Sequence, residues 1–424
     1  MTPQPSMETQ PFDFVIAGGG TVGCSLALAL AQLSHQTKRA QRQPLRIAII
    51  EAQDYRSDST HPGFDGRAIA LARHSLDYLA SLGLQNDINA VTQPIQHIQV
   101  TDKGYLGQCD LYAPDYAVES LGRVIELHDF GRVLQSALQK PDIASQITWF
   151  CPDKITSLVF ETDHVNVVLD SQQRIQAKLL LATDGGESGT RKLLNVVPEV
   201  QDYQQVALIA NVRTQKPHNN CAFERFTQNG PIAFLPMTDE RCSVVWTLNY
   251  GDESALLNAS EAEFISALQA AFGYRLGKIT QVGLRAAYPL RLLHASGGHL
   301  HRAALLGNAA QTLHPIAGQG FNLGIRDVED LVACVKHAVE SGDDVGTYTI
   351  LSAYRALRKQ DAKTTISATH ALVHLFSDDA MLKVVARNLG LAGLQFLPSL
   401  KHLFAQRAMG RRRHAVLDEL GTKG

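Results

Sequence analysis

The chain has 424 residues, which is enough for two or three domains with a large core. Hydrophobic residues make up 45% of it, a typical share for a globular protein, and no apolar run reaches the ~20 residues of a membrane-spanning helix. The formal net charge of −2 gives no reason to expect a nucleic-acid partner. Scattered cysteines without a C-x-x-C pair argue against disulfides and structural zinc, and favour a reducing cytoplasm.

A glycine-rich turn follows the first apolar strand. Gly18, Gly20 and Gly23 stand at G-x-G-x-x-G spacing and open a helical run. In this context the first glycine permits a tight turn, the second lets a pyrophosphate approach the backbone, and the third lets helix and strand pack closely. The next apolar strand ends in Glu51, a carboxylate suited to accept hydrogen bonds from an adenosine ribose. The segment therefore predicts a dinucleotide-binding βαβ unit.

A second motif follows the apolar run 179–183 in the middle of the chain. Asp184, Gly185, Ser188 and Arg191 form the pattern D-G-x-x-S-x-x-R. Taken alone, the pattern is also compatible with an Asp-Gly turn in which Ser188 caps a short helix. Its place after a buried-type strand makes it a second candidate for ligand binding.

A third motif lies at residues 305–327, where an apolar strand passes through a Gly/Pro-interrupted loop into a helix. The helix is predicted to begin at Gly320 or Phe321. Small residues such as Gly318 let backbone N–H groups approach a ligand, and the helix dipole favours an electron-rich oxygen there. By itself the loop predicts only an anion-binding turn.

The order of strands and helices predicts an α/β fold in which a β-rich unit interrupts the dinucleotide-binding domain. The expected regions are a discontinuous dinucleotide-binding domain at 12–92, 122–195 and 285–345, a β-sheet substrate domain at 93–121 and 196–284, and a helical C-terminal region at 346–424.

In this order, the three motifs resemble those of the group A flavin monooxygenases, over essentially the whole chain. The segment 65–71 is similar to the D-x-R-A-I-A-L segment of the ubiquinone-biosynthesis hydroxylases. Segments 122–130 and 307–324 are similar to the branch of these enzymes that acts on a polyprenylated methoxyphenol. The resemblance implies a p-hydroxybenzoate hydroxylase-like fold: a Rossmann-like FAD-binding domain, an inserted mixed β-sheet substrate domain and a helical C-terminus.

The resemblance also implies which residues serve the cofactor and the chemistry. Asn308 stands where most relatives have Asp, and its amide oxygen can still accept a hydrogen bond from a ribityl hydroxyl. The residues implied to act at the flavin ring are Pro315, Gly318, Gly320 and Arg67. The residues implied to bind FAD are Gly18, Gly20, Gly23, Glu51, Arg67, Glu126, Asp184, Gly185, Arg191, Asn308, Gly318, Gly320, Phe321 and Asn322.

Several of these residues also have purely structural interpretations. Glu126 can simply stabilise a helix N-terminus, Pro315 can rigidify a turn, and an arginine such as Arg67 is usually a solvated surface residue. No side-chain acid or base stands out, although tyrosines on the β-rich unit can assist phenol deprotonation or be core aromatics: Tyr203, Tyr250 and Tyr288. The histidines form no recognised metal pattern, so no metal is expected.

The implied activity is hydroxylation of a prenylated phenol in ubiquinone biosynthesis, with FAD as cofactor and NAD(P)H and dioxygen as co-substrates. Other ubiquinone-biosynthesis proteins are admissible partners, and the expected location is the cytoplasm, with contact to the inner membrane peripheral at most. Three alternatives remain open: a sibling hydroxylase acting at another ring carbon, a flavin dehydrogenase or reductase without oxygen insertion, and a non-catalytic prenyl-binding scaffold.

Overall fold

The computed structural model describes most of the chain, and the ranges are 10–36, 44–54, 67–105, 107–295, 300–313, 319–376, 390, 393, 395 and 397–410. None of the helices in these ranges combines the length and apolar character needed to cross a membrane. Two predicted site residues, Pro315 and Gly318, lie outside the described residues.

The strands of the described residues belong to three sheets. In chain order they are β1 (Gln10–Ala17), β2 (Ile47–Ile50), β3 (Ala68–Ala72), β4 (Gln93–Ile95), β5 (His97–Asp102), β6 (Gln108–Tyr112), β7 (Gly122–Glu126), β8 (Ile147–Phe150), β9 (Ile155–Phe160), β10 (Val165–Leu169), β11 (Arg174–Ala182), β12 (Glu199–Thr214), β13 (Cys221–Thr227), β14 (Gly230–Pro236), β15 (Arg241–Asn249), β16 (Ile279–His294), β17 (Ala303–Leu305) and β18 (Gln311–Thr312).

The α-helices of the described residues are interspersed with the strands as far as residue 272, and they predominate after residue 319. In order they are α1 (Thr21–Gln36), α2 (Arg73–Ser81), α3 (Gln85–Ala90), α4 (Leu127–Leu138), α5 (Pro141–Ala144), α6 (Gly189–Leu193), α7 (Glu253–Asn258), α8 (Glu261–Phe272), α9 (Gln319–Ser341), α10 (Tyr348–Phe376) and α11 (Pro398–Ala408).

The first sheet carries the predicted dinucleotide-binding unit. Its strand order is β8-β2-β1-β11-β10-β9, and β17 also pairs with β11. The pairs β1–β2, β1–β11, β2–β8 and β11–β17 are parallel. Parallel strands covered on both faces read as continuous apolar runs, as in Ile47–Ile50. One face packs Phe14 and Ile49 against Leu30 of α1, Phe130 of α4 and Leu331 of α9, which confirms the predicted α/β architecture.

The second, larger sheet has the order β18-β16-β12-β15-β14-β13-β5-β6. Its pairs are antiparallel except β13–β5, so the sheet is mixed, as predicted. Successive residues of a strand point to opposite faces. Leu208 and Val244 therefore pack on one face with Phe264 and Phe272 of α8, whereas residues such as Ile209 point the other way. This second face is free to line a cavity.

Strand β16 differs from the expected boundary at residue 285. It runs from Ile279 to His294 and pairs with β12 along most of its length, so residues 285–294 belong to the larger sheet and not to the first sheet. The reason is pairing: β12 and β16 are strands of 16 residues each, and their hydrogen-bonded register continues past the predicted boundary to His294. The chain returns to the first sheet only at β17.

Buried charges join α9 to α10. The Arg358 guanidinium contacts Asp327 (Nε to Oδ1, 2.5 Å), Asp330 (Nη1 to Oδ2, 2.7 Å) and Asp361 (Nη1 to Oδ2, 2.8 Å). Arg326 also contacts Asp361, at 2.7 Å. Burying these charges is tolerated because each carboxylate faces a guanidinium, so the network fixes one helix against the other.

Replacing Arg358 with Met should lower the free energy of unfolding by about 3–5 kcal/mol, because Asp327 and Asp330 stay buried without their counter-charge. Urea unfolding followed by circular dichroism measures this. The matched control is Lys359→Met, which removes an exposed charge from the same helix and should cost less than about 0.5 kcal/mol. Equal small losses in both variants would show that the network contributes nothing.

Candidate active site

A cavity of about 1190 Å³ lies between the two large sheets. Its lining includes residues just beyond the carboxyl ends of β1, β2, β11 and β17, where ligands bind in open α/β sheets. It also includes the face of the larger sheet that points away from α8. The volume exceeds the ~300–1,000 Å³ of usual small-ligand pockets, so the cavity can hold more than one small molecule.

Most of the predicted site residues meet in this cavity. Its lining includes Gly18, Gly20, Glu51, Arg67, Asp184, Gly185, Asn308, Gly320, Phe321 and Asn322. Three predicted residues of the described part of the chain are not in the lining: Gly23, Glu126 and Arg191.

The glycine turn after β1 is shaped by backbone contacts. Gly18 has φ +101°, and a Cβ there would lie 2.8 Å from the backbone of Asp184. A Cβ at Gly23 would lie 2.0 Å from the Gly18 carbonyl oxygen, so Gly23 serves the close packing of helix on strand. A Cβ at Gly20 would meet no atom within 4 Å. Gly20 therefore borders open space at the N-terminus of α1, the cradle that a pyrophosphate needs.

Glu51 is held in place by the same turn. One carboxylate oxygen accepts a hydrogen bond from the Gly19 N–H at 2.7 Å, and the other accepts from the Gln53 N–H at 2.8 Å. The side chain is buried yet lines the cavity. Sequence reasoning located this acid but not its bond to the glycine turn.

The D-G loop after β11 folds on itself. Asp184 accepts hydrogen bonds from the Ser188 hydroxyl and from the Thr190 N–H (2.9 Å). Ser188 caps α6 by accepting from the Arg191 N–H at 2.9 Å, as the structural interpretation expected. The buried Arg191 guanidinium donates to the carbonyl oxygens of Gly186 (2.7 Å) and Ala309 (2.9 Å). Arg191 thus ties this loop to the turn that carries Asn308.

The Asn308 turn depends on a residue that the sequence did not single out. Asp327 of α9 accepts a hydrogen bond from the Gly307 N–H at 2.7 Å. Burial raises the pKa of Asp327 to about 6, against the opposing effect of the Arg358 guanidinium. Asn308 itself is exposed at the cavity wall. The sequence shows that Gly307 precedes Asn308, and the structure gives this glycine a φ of +58°. The support of the turn by α9 was not visible in the sequence.

Arg67 and Asn322 fix the wall formed by β3. The Arg67 guanidinium carbon lies 5.0 Å from the centre of the Tyr288 ring, a cation–π contact with the larger sheet. The buried Asn322 amide accepts from the Ala72 N–H (2.8 Å) and donates to the Ala70 carbonyl (2.9 Å). Arg67 is thus no solvated surface residue, because it lies against an aromatic ring in the cavity lining.

Glu126 precedes α4 and pairs with a residue of the larger sheet. Its carboxylate contacts the Arg241 guanidinium at 2.8 Å and 3.3 Å, and this contact raises the pKa of Arg241. Glu126 therefore joins the small sheet of β3, β7 and β4 to β15, away from the cavity lining. Of the predicted tyrosines, Tyr288 lines the cavity and Tyr250 is exposed.

The half of the cavity under the larger sheet is mainly apolar. Ile98, Val100, Ala207, Ile209, Ala233, Leu235, Val245 and Phe226 line it, and Phe404 of α11 borders it as well. One carboxyl group, that of Glu224, lies among these residues. Sequence reasoning missed Glu224, because strand alternation alone does not tell which face of β13 packs on α8.

Comparison with known proteins identifies the family. The model of the FAD binding domain matches residues 12–369. Ubiquinone hydroxylase UbiL of Rhodospirillum rubrum is 34% identical over 402 residues, which cover 94% of this chain and 89% of that protein. The 3-demethoxyubiquinol 3-hydroxylase of Escherichia coli is 29% identical and is covered along its whole length (95% of this chain, 100% of that protein).

Solved structures support the same fold. The p-nitrophenol 4-monooxygenase PnpA of Pseudomonas putida superposes with a TM-score of 0.76 at 18% identity, covering 96% of this chain and 100% of that one. PqsL of Pseudomonas aeruginosa, described as a probable FAD-dependent monooxygenase, gives a TM-score of 0.72 at 18% identity, with coverage of 90% and 99%. The chain belongs to the FAD-binding domain family and is an FAD-dependent monooxygenase of the ubiquinone-biosynthesis hydroxylase type.

Proposed function

We propose that this chain hydroxylates a polyprenylated methoxyphenol intermediate of ubiquinone biosynthesis, with NAD(P)H and dioxygen as co-substrates. The observation that carries the proposal is the continuity of one cavity from the glycine turn at Gly20 to the apolar sheet face at Ile209 and on to Phe404 of α11. A dinucleotide fits the first part, and a ring with a long apolar substituent fits the second. Apolar walls also exclude water from the reacting centre.

The residues at the glycine turn fit FAD. The open space beside Gly20 admits a pyrophosphate. Glu51 would accept hydrogen bonds from the adenosine ribose, and Asn308 would accept one from a ribityl hydroxyl group. When bound, FAD supplies the two-electron chemistry that activates dioxygen for transfer of one oxygen atom to the ring. Backbone N–H groups at Gly320 and Asn322, at the start of α9, would face the electron-rich edge of the flavin ring.

A sibling hydroxylase that acts at another ring carbon is the second candidate. Its support is the similarity to the Escherichia coli 3-demethoxyubiquinol 3-hydroxylase over that protein's whole length. The ring carbon that reacts depends on how the ring lies in the cavity, and the apolar walls allow more than one orientation. The substrate assay below separates the two candidates.

Replacing Gly20 with Ala should weaken FAD binding by about tenfold or more, because the methyl group enters the space left for the pyrophosphate. The melting temperature of the FAD-free protein should stay the same, since no atom lies within 4 Å of that Cβ. The contrasting variant is Gly23→Ala, whose Cβ meets the Gly18 carbonyl at 2.0 Å and should lower that melting temperature. Flavin fluorescence titration and thermal unfolding measure the two effects. Normal FAD affinity in Gly20→Ala would contradict the proposed cofactor site.

Purified, FAD-loaded protein should convert a short-chain prenylated methoxyphenol to a product that carries one additional hydroxyl group. With isotopically labelled dioxygen, mass spectrometry should find one labelled oxygen atom in that product, and fragment masses should identify the ring carbon. NADH and NADPH are tested in parallel. Oxidation of NADH or NADPH without a labelled product would contradict the proposal and indicate a reductase. Turnover of a demethoxyubiquinol alone would favour the sibling reaction.

A further inference from the structure

Glu224 is a carboxyl group on the apolar face of the larger sheet. It lies in the middle of β13, where Val100 of β5 and Ala233 of β14 are its neighbours across the sheet. Ala222 and Phe226, two positions away on either side, also line the cavity. Phe223 borders the cavity as well, but its ring packs edge-on against Phe272 of α8, with the ring centres 5.8 Å apart. Strand alternation therefore directs the Glu224 side chain into the cavity.

The surroundings of Glu224 give its carboxyl group no partner. Within the described part of the chain it has no hydrogen bond and no ion pair. Its neighbours across the sheet, Val100 of β5 and Ala233 of β14, are apolar. The other described lining residues of β5, β6, β14 and α11 are also apolar, and they are Ile98, Leu111, Leu235, Phe404 and Ala408. The other titratable residues of the lining lie elsewhere in the cavity: Glu51, Arg67, Asp153, Lys154, Asp184 and Tyr288.

A carboxylate in this position loses hydration free energy, a loss that a leucine side chain would not incur. Desolvation by the apolar lining raises the pKa of Glu224 to about 7. The side chain is partly exposed, and its exposed part opens to the cavity. A perturbed acid among apolar groups in a cleft is a candidate functional residue. A ligand that brings a hydrogen-bond donor into the cavity would supply the missing partner.

We propose that Glu224 accepts the hydrogen bond of the substrate's phenolic hydroxyl group and takes up its proton during hydroxylation. This assignment rests on the proposed function, because it requires a phenol in the cavity. It goes further in naming a carboxyl group as the general base, where the sequence had offered only tyrosines for phenol deprotonation. It also specifies the substrate as one with a free ring hydroxyl group.

The proton transfer fits the overall reaction. The phenol O–H bond breaks, the proton forms an O–H bond with the carboxylate, and the electron pair remains on the phenolate oxygen, where it enriches the ring. A ring carbon gains a C–O bond to one atom of dioxygen, and it loses its proton when aromaticity is restored. Two electrons come from the reduced nicotinamide, and the second oxygen atom leaves as water. Glu224 then returns its proton to the product oxygen.

Tyr288 is the competing acceptor in the cavity lining. It belongs to β16, four strands away from β13 in the sheet order, which corresponds to about 19 Å along the sheet. One hydroxyl group therefore cannot contact both residues. The Tyr288 ring face is also covered by the Arg67 guanidinium, at 5.0 Å. Variants of Glu224 and Tyr288 should thus have separable effects on ligand binding.

The test compares a short-chain prenylated methoxyphenol with its methyl ether, which cannot donate a hydrogen bond. Binding to FAD-loaded protein is measured by flavin absorbance without nicotinamide, so no turnover occurs. The wild-type protein should prefer the phenol by about tenfold or more, as expected for a hydrogen bond to a charged group. Glu224→Leu should abolish this preference while keeping the affinity for the ether, and Glu224→Gln should retain part of it.

The preference should also depend on pH in the wild-type protein. It should increase as pH rises through about 7, where the Glu224 carboxyl group ionises, and Glu224→Leu should show no such change. Thermal unfolding adds a second readout. Because the folded-state pKa lies above the ordinary value of 4.5, the wild-type carboxyl destabilises the fold at pH values above about 7, so Glu224→Leu should raise the melting temperature there.

Three outcomes would overturn the assignment. A phenol preference that persists in Glu224→Leu would show that another group accepts the hydrogen bond. Loss of the preference in Tyr288→Phe, with retention in Glu224→Leu, would assign it to Tyr288. Failure of the wild-type protein to bind either ligand, despite bound FAD, would instead remove the proposed substrate, and the Glu224 assignment with it.

Discussion

Close backbone packing around the start of α1 is the constraint on which the site depends. Gly23 leaves no room for a side chain against the Gly18 carbonyl. Val22 fills the space in front of Gly307 and Gly324, where Cβ atoms would come within 3.1 Å and 3.0 Å of it. Segments from the beginning and the end of the chain thereby meet at one helix N-terminus. The contacts are short because the glycines lack side chains, and they define the space that remains for a dinucleotide.

The larger sheet serves two purposes through its two faces. One face packs Leu208 and Val244 on α8 and forms an ordinary core. The other face presents Ile209 and Val245 to the cavity, and α11 packs only on its edge, near Val100 and Phe226. An apolar surface of this kind is stable when an apolar ligand covers it, which a prenylated ring would do. Glu224 lies on this cavity face and not on the face packed against α8, so its carboxyl group is directed into the cavity.

The sequence predicted features that depend on neighbouring residues. The turn at Gly18, the Asp184 loop and the start of α9 were all located, because glycines, caps and apolar runs act locally. Features set by distant partners were not predicted. The support of the Asn308 turn by Asp327 requires the contact between α9 and α10, and the role of Glu224 requires knowing which face of β13 packs on α8. The length of β16 likewise depends on its pairing with β12 and not on its own residues.

The most direct test of the central claim is a mass spectrum of quinone-pathway lipids from the natural host without this chain, grown in air. The account predicts accumulation of a prenylated methoxyphenol one hydroxyl group short of the next intermediate. Re-expression of the intact chain should remove it, and re-expression of the Gly20→Ala variant should remove less of it, because that variant is expected to bind FAD more weakly. Accumulation of a different intermediate would move the chain to a sibling step. A normal quinone profile would contradict the account.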